Sequence, residues 1–145
     1  MIAIACDHAA LGMKKTIIEN FQKKGYTFKD FGCYDSNSVD YPDFASAAAK
    51  SVVAGECEKG ILICGTGIGM SMAANKIKGI RCALCGDVFS AKATREHNDA
   101  NMLAMGARVI GINLAEMITE TFLTTPFSGE KRHIDRINKI AKLEE

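Results

Sequence analysis

Residues 60–71 have the sequence GILICGTGIGMS, an apolar run that leads into a glycine-rich loop. The consecutive apolar residues 61–64 predict a strand that is buried on both faces, as in the middle of a parallel sheet. The glycines that follow predict a tight turn into a helix that begins near Met70. Cys64 is therefore expected where the strand becomes a loop, and open α/β sheets bind anionic ligands at such junctions.

Outside this stretch, strand and helix signals alternate along the chain. Apolar runs predict four more strands, at 2–6, 26–31, 80–85 and 108–110. Periodic or alanine-rich segments predict helices at 10–24, 41–55, 70–76 and 87–96, the last of these capped by Asp87. A further helix is predicted that Asn113 caps, and a final one from about Glu130. Strands that alternate with helices at this spacing pair in parallel through right-handed crossovers. We therefore expect one three-layer α/β/α Rossmann-like domain over residues 1–145, with a mainly parallel five-stranded sheet whose strand order stays open.

Composition argues against several classes of partner. Apolar residues make up 48% and charged residues 24% of the 145 residues, as in ordinary soluble domains. The net charge of +1 gives no electrostatic basis for binding nucleic acid or an anionic membrane surface. No apolar run approaches the ~20 residues of a membrane span, and the first residues lack a signal-peptide pattern. We therefore expect a cytoplasmic protein that binds neither nucleic acid nor membranes.

The six cysteines are expected to be free thiols. Four of them lie in or at the end of apolar runs, where reduced cysteine behaves as a small hydrophobic residue. Cys82 and Cys85 have the spacing of a redox or zinc motif. Residues three apart on a strand point to opposite faces, however, and no second such pair exists, so packing is the favoured interpretation.

A parallel sheet brings separate polar residues of this chain to one edge. Asp7 and His8 follow the first predicted strand, and Cys64 with its loop follows the third. Because the carboxyl ends of parallel strands share one edge, these residues and the segment after the fourth strand should open onto the same crevice. His97 and Asn98 end a helix that starts from this edge, so the sequence does not decide on which side of the molecule they lie.

Cys64 has the chemistry of a base or a nucleophile in this position. The positive end of a helix favours the thiolate form of a thiol, and the amides of the loop suit an oxyanion. Thr66 and Ser71 add hydroxyls that can donate to neighbouring oxygens or relay protons between them. The plain alternative is that the thiol only fills the strand end and the glycines only turn the chain. The loop also lacks the spacing of a dinucleotide-binding motif and the Gly-Lys-Ser/Thr of a nucleotide-binding loop.

Several basic residues can contact an anionic group. Arg132 and Arg136 lie four apart on the last predicted helix and project from one face, where two guanidiniums match a phosphate. The alternative is a solvated face on which these charges pair with neighbours such as Glu130. His8 can equally cap the first strand, and Arg108 can equally extend to solvent.

Eight motifs resemble those of type B ribose-5-phosphate isomerases, in the same order from the first strand to the last helix. The motifs are DHA at 7–9, DYPD at 40–43, CGTGIG at 64–69, SMAANK at 71–76, GIR at 79–81, REHNDAN at 95–101, GARV at 106–109 and RHIDR at 132–136. The wider family includes galactose-6-phosphate and allose-6-phosphate isomerases and has the three-layer α/β fold expected above.

The resemblance implies an aldose–ketose isomerase that interconverts D-ribose 5-phosphate and D-ribulose 5-phosphate through an enediolate, in the non-oxidative branch of the pentose phosphate pathway. It implies no metal and no organic cofactor. Cys64 corresponds to the base that moves a proton between C2 and C1, and Thr66 to a group that assists proton movement between O1 and O2. His97 corresponds to the group that opens the furanose ring, with Asp7 alongside, and the 65–69 loop corresponds to the anion hole. The implied substrate contacts are Asp7, His8, Tyr41, Gly65, Thr66, Gly67, Ile68, Gly69, Ser71, Asn98, Arg108, Arg132 and Arg136.

The resemblance also implies a homodimer whose sites are completed across the interface, so that His97 and some of the arginines serve the partner's pocket. Pairing of dimers into a tetramer stays open. Cys64 with Thr66 favours the ribose enzyme over the cysteine-lacking subunit type of galactose-6-phosphate isomerase, whereas a preference between ribose 5-phosphate and allose 6-phosphate is not decided. The rival hypotheses are a sugar-phosphate sensor without catalysis and a thiol-redox protein that uses Cys82 and Cys85. Cys64 together with His97 argues against the sensor, because phosphate recognition alone needs neither.

Overall fold

Five parallel strands form one sheet in the computed structural model, which describes all residues from 1 to 145. The strands are β1 (Ile2–Cys6), β2 (Phe28–Asp30), β3 (Lys59–Cys64), β4 (Cys82–Leu84) and β5 (Met102–Gly106), in the order β2-β1-β3-β5-β4. Every neighbouring pair is parallel. The predicted five-stranded parallel sheet is therefore confirmed, and β3, which ends at Cys64, is its central strand.

Six helices cover the two faces of this sheet. They are α1 (Leu11–Gln22), α2 (Tyr41–Val53), α3 (Ile68–Asn75), α4 (Val88–Asn98), α5 (Ile112–Thr124) and α6 (Lys131–Lys142). Helices α1, α4 and α5 share one buried cluster with the sheet, whereas α2 and α3 share the other. The last helix, α6, lies against α4. This arrangement confirms the three layers expected from the sequence.

The fifth strand lies earlier in the chain than the sequence predicted. Strand β5 covers Met102–Gly106, and all five of its residues are buried between β3 and β4. The predicted strand at 108–110 is wrong, because these residues form a turn in which the N–H groups of Val109 and Ile110 both donate to the carbonyl of Gly106. The buried apolar run 102–105 can pair on both sides, whereas Arg108 and Val109 are exposed.

The helix boundaries confirm one predicted cap and correct another. The Asp87 carboxylate accepts from the Ser90 N–H at 2.6 Å and caps α4 as expected. Helix α5 begins after Gly111 without a side-chain cap, so the prediction that Asn113 caps it is wrong. Helix α3 begins at Ile68, two residues before the predicted start, because Gly67 adopts a left-handed conformation and turns the chain directly into the helix.

Lys14 contradicts the charge pattern of the first helix. Apolar residues recur every four positions in this helix, at Met13, Ile17 and Phe21, and this period predicts that Lys14 lies on the solvent face. Lys14 is nevertheless only 1% exposed. Its ammonium donates to the Asp30 carboxylate at 2.8 Å and to the Cys33 carbonyl at 2.6 Å. A charge can be buried in this way because both partners come from β2 and the segment that follows it, which the periodicity of α1 does not describe.

All six cysteines are free thiols, as predicted. Cys85 belongs to the buried cluster on one face of the sheet, and Cys82 packs against the cluster on the other face. Burial raises the pKa of Cys82 to about 12 and that of Cys85 to about 11. These two thiols are therefore protonated and directed apart, which gives the redox hypothesis no support. Separately, none of the helices is both long and apolar enough to cross a membrane.

Candidate active site

The thiol of Cys64 lies at the centre of the site, at the carboxyl end of β3. Its side chain is 4% exposed, and its Sγ accepts a hydrogen bond from the Gly67 N–H at 3.0 Å. A backbone N–H aimed at sulfur stabilises the thiolate form more than the thiol. Gly67 has φ +79° and lies against Met105, where a Cβ would come within 2.9 Å of the carbonyl oxygen. Only glycine fits this close approach without displacing the loop.

The hydroxyls next to Cys64 are already engaged with the start of α3. Thr66 Oγ1 accepts from the Ile68 N–H at 3.2 Å, so its hydrogen remains available to donate. Ser71 Oγ donates to the Ile68 carbonyl at 2.7 Å and is buried. Of the two predicted hydroxyls, Thr66 therefore keeps a free donor, whereas Ser71 can only accept from a neighbouring oxygen.

The segment after β5 covers the other side of the glycine loop. Cys64 is paired with Gly106, where a Cβ would lie 2.6 Å from the Thr66 carbonyl oxygen. The Arg108 N–H donates to the Gly65 carbonyl at 3.0 Å, and the Arg108 side chain runs past the same glycine. Its exposed guanidinium thus stands at the edge of the sheet that carries Cys64.

Asp7 and His8 lie at this same edge, as the parallel topology predicted. The Asp7 N–H donates to the Ile63 carbonyl at 3.1 Å, which ties the end of β1 to the end of β3. His8 Nδ1 accepts from the Val39 N–H at 3.3 Å, so the proton of a neutral imidazole is on Nε2. An open pocket of about 570 Å³ is lined by Asp7, His8 and residues 39–43. Tyr41, one of these residues, packs against Gly69 and joins the pocket to the glycine loop.

His97 and Asn98 lie at the opposite edge of the sheet. They are the last residues of α4, and the Asn98 carbonyl accepts from Arg81 Nε at 3.0 Å. Arg81 comes directly before β4, so this contact fixes the end of α4 at the amino ends of the strands. Both site residues are exposed there. The sequence did not decide on which side of the molecule these two residues lie. Within one chain, the structure does not bring them to Cys64.

The two arginines of α6 also lie away from Cys64. Helix α6 lies against the end of α4, where the His133 and His97 rings stack with centroids 4.6 Å apart. Arg132 and Arg136 are both exposed, and Arg132 Nε pairs with the Glu130 carboxylate at 3.0 Å. The surface ion pair that the sequence offered as the alternative is thus present. It occupies Arg132 Nε and leaves the other two guanidinium nitrogens of Arg132, and the guanidinium of Arg136, available to an anion.

Sequence reasoning gave His133 no role, although it lies between the two arginines. It is 5% exposed, and its Nε2 is buried without a hydrogen-bond partner. Burial lowers the pKa of His133, and the neighbouring His97 and Arg132 lower it further. Its position on the helix could be read from the sequence, but its contact with another helix could not.

The arrangement places a thiol, a donor N–H and a glycine loop at the start of a helix, next to an open pocket with acidic, imidazole and phenol groups. Such a set can remove a carbon-bound proton and stabilise the oxyanion that results. A histidine and two arginines form a second group at the far edge.

Known proteins are similar to this chain over nearly its whole length. The Ribose/Galactose Isomerase family matches residues 2–140. A Bacillus subtilis protein named "Putative sugar phosphate isomerase YwlF" is 57% identical over 145 residues, which cover 99% of this chain and 97% of that one. Ribose-5-phosphate isomerase B of Escherichia coli is 43% identical over 144 residues, with 99% and 96% covered. The structure of Clostridium thermocellum ribose-5-phosphate isomerase B superposes with a TM-score of 0.96 at 48% identity, with 99% and 96% covered.

Proposed function

Since the chain belongs to the ribose/galactose isomerase family and is an aldose–ketose isomerase, we propose that it interconverts D-ribose 5-phosphate and D-ribulose 5-phosphate through an enediolate. The observation that carries the proposal is the Cys64 thiol, which accepts the Gly67 N–H at the start of α3. The names of the similar proteins, ribose-5-phosphate isomerase B in Escherichia coli and Clostridium thermocellum, support this substrate.

In the proposed reaction Cys64 acts as the base. Its thiolate takes the proton from C2 of the open-chain aldose, the C1 carbonyl oxygen becomes an oxyanion, and the same thiol returns the proton to C1. Amides of the 65–69 loop face the developing charge, as the donors of an oxyanion hole do. The Thr66 hydroxyl, whose hydrogen is free, then carries a proton from O2 to O1. The net result moves one proton between carbons and one between oxygens, with no change in overall redox state.

The substrate phosphate binds away from the reacting carbons. His8 and Arg108 offer donors at the Cys64 edge, and Tyr41 closes the pocket over the glycine loop. Binding energy from a group that does not react can orient the sugar for proton transfer. Asp7 lies beside His8 and faces the same pocket.

The complete site requires two subunits in this proposal. Strand β3 has six residues and separates the two edges of the sheet by roughly 20 Å at ~3.3 Å per residue. A catalytic acid must come within about 3 Å of the atom it protonates, so His97 cannot serve Cys64 of its own chain. In a two-fold symmetric homodimer, His97, Asn98, Arg132 and Arg136 of one subunit would complete the crevice of the other, and vice versa.

The test is proton NMR of the purified protein with ribose 5-phosphate in D2O and a chelator. We expect ribulose 5-phosphate to form and deuterium to enter at the exchanging carbon, because a thiol that carries the proton exchanges it with solvent. Binding without conversion would contradict the proposed substrate and favour allose 6-phosphate or a sensor. Conversion that stops when the chelator is added would contradict the metal-free mechanism.

A further inference from the structure

Helix α6 lies on the surface of the molecule and has a single buried side chain. His133 is the only buried residue of the twelve in this helix. It meets the end of α4, and the turn before α6 is fixed there too, since the Ser128 N–H donates to the Glu96 carbonyl at 3.2 Å. The one deep contact of the helix is therefore made at a proposed catalytic residue, His97.

The contact itself is a parallel stack of two imidazoles. The ring centroids of His97 and His133 are 4.6 Å apart and the ring planes are inclined by 20°, which is the offset geometry that aromatic pairs prefer. His97 is exposed at the end of its helix, and an exposed side chain there would otherwise be free to change rotamer. With one face of the imidazole covered by His133, only the other face and the ring edge remain free.

The surroundings of His133 keep it neutral. Burial lowers its pKa, as do the charges of His97, Arg132 and Arg136, and the Glu130 carboxylate alone acts in the opposite direction. Its Nε2 has no partner, so a proton there would gain no hydrogen bond. Because His133 remains uncharged, His97 can take up and release a proton without a like charge stacked against it.

We propose that His133 is a positioning residue for ring opening, in which its stacked ring holds the imidazole of His97 in the orientation that protonates and deprotonates the furanose oxygens. The inference rests on the proposed function, because it assigns ring opening to His97. Stacking, rather than hydrogen bonding, is the means, since His133 makes no hydrogen bond through Nε2.

Two reactions separate ring opening from the carbon chemistry. Consumption of ribose 5-phosphate requires the furanose to open. Exchange of the C1 proton of ribulose 5-phosphate with D2O does not, because a 2-ketose whose O5 carries phosphate cannot close a five-membered ring. A residue that acts only through His97 should therefore affect the first reaction and spare the second.

The experiment compares His133→Gln and His133→Phe with the wild-type enzyme in both reactions. For His133→Gln we expect kcat for ribose 5-phosphate to fall about tenfold or more, as for a misplaced acid–base group, with C1 exchange within about twofold of wild type. His133→Phe should retain most of both activities, because phenylalanine keeps the stack. Equal losses in both reactions, or no loss in either, would overturn the inference. A wild-type enzyme inactive on both sugars would instead overturn the proposed function.

A second readout does not depend on activity. The chain has three histidines, so their ring signals can be assigned by substitution and titrated by NMR. We expect the pKa of His133 to be below its ordinary value in the wild-type protein and to rise in His97→Gln, because the neighbouring imidazole lowers it. An unchanged titration of His133 in His97→Gln would show that the two rings do not interact in solution.

Discussion

Cys64 differs from the other cysteines in its surroundings rather than in its burial alone. Burial raises the pKa of Cys6 to about 12, and it raises the pKa values of Cys82 and Cys85 as well. Cys64 is also buried, but it ends a strand and its sulfur receives a backbone N–H. A thiol with a donor at the start of a helix can serve as a base, whereas a thiol packed within the sheet fills space.

Replacement of this thiol should remove the chemistry and leave binding intact. We expect Cys64→Ala to lower kcat for ribose 5-phosphate by about 10²-fold to 10⁴-fold, the usual contribution of a general base, while calorimetry still detects sugar-phosphate binding. Cys82→Ser is the matched control, because that thiol packs against the buried cluster of α2 and α3 and has no part in the proposed reaction, and it should retain turnover. Near-normal turnover in Cys64→Ala would show that another group is the base.

Sequence alone gave the residues of the Cys64 edge, because each follows a strand and parallel strands end together. Asp7, His8 and the glycine loop were identified in this way, and they share one edge of the sheet. Lys14 and His133 were not identified. Both are polar residues that other parts of the chain bury. The apolar period of a helix predicts which of its own faces is buried, but it does not predict which residues of another element cover a polar side chain.

The segment 31–40 connects the buried Lys14 to the candidate active site. Its first part is fixed by Lys14, which donates to the Cys33 carbonyl, and by the Asp30 carboxylate, which accepts from the Gly32 N–H at 2.9 Å. Its last part donates from the Val39 N–H to His8. The position of His8 in the pocket therefore depends on an ion pair at the other end of the segment.

Lys14→Met should weaken both the fold and substrate binding. The change leaves Asp30 without its cation, and because that carboxylate is 32% exposed we expect a loss of about 2–3 kcal/mol, below the value for a fully buried pair. The melting temperature should fall by roughly 5–10 °C, and KM should rise because the segment that holds His8 loosens. Addition of Asp30→Asn should recover part of the stability. Lys15→Met, an exposed neighbour on α1, is the control and should change neither quantity.

The attachment of α6 should depend on pH through His133. The pKa of this buried histidine is lowered in the folded state, mainly by desolvation, so the unfolded chain binds more protons as the pH falls below its ordinary value of about 6.5. The stability that neutral His133 contributes is therefore present above this pH and is lost as the pH falls through the lowered value. Thermal unfolding should show wild type losing stability relative to His133→Phe as the pH falls below about 6.5. Parallel curves for the two proteins would contradict this account.

The misplaced fifth strand shows where element prediction from sequence fails. The segment 102–106 contains two methionines and no β-branched residue, whereas 108–110 contains valine and isoleucine, which favour strands. The structure uses the first segment, because its small and flexible side chains pack into the buried clusters on both faces of the sheet. Packing between neighbours thus overrides local strand preference.

At the level of the whole molecule, the proposed catalytic groups are divided between two ends of one sheet. Cys64, Asp7 and His8 lie at the carboxyl ends of the strands, and His97 with the α6 arginines lies at the amino ends. The family resemblance implied this division, but the pattern of residues alone did not predict it, because it depends on the end at which α4 stops and on where α6 packs after an irregular connection. In a two-fold symmetric dimer, the carboxyl-end groups of each chain would meet the amino-end groups of the other chain, so that two complete sites form.

Heterodimers of a Cys64→Ala chain and a His97→Asn chain should therefore regain activity that neither homodimer has. One crevice of such a pair has lost both groups, whereas the other combines Cys64 of the second chain with His97 of the first. Chains with different tags, co-expressed and purified through both, should show about half the wild-type kcat per dimer. The control pairs His97→Asn with Arg136→Ala, which lie at the same edge, so every crevice keeps one defect and no wild-type site is restored. If the first pair is no more active than its parents, each chain completes its own site and the shared-site proposal is wrong.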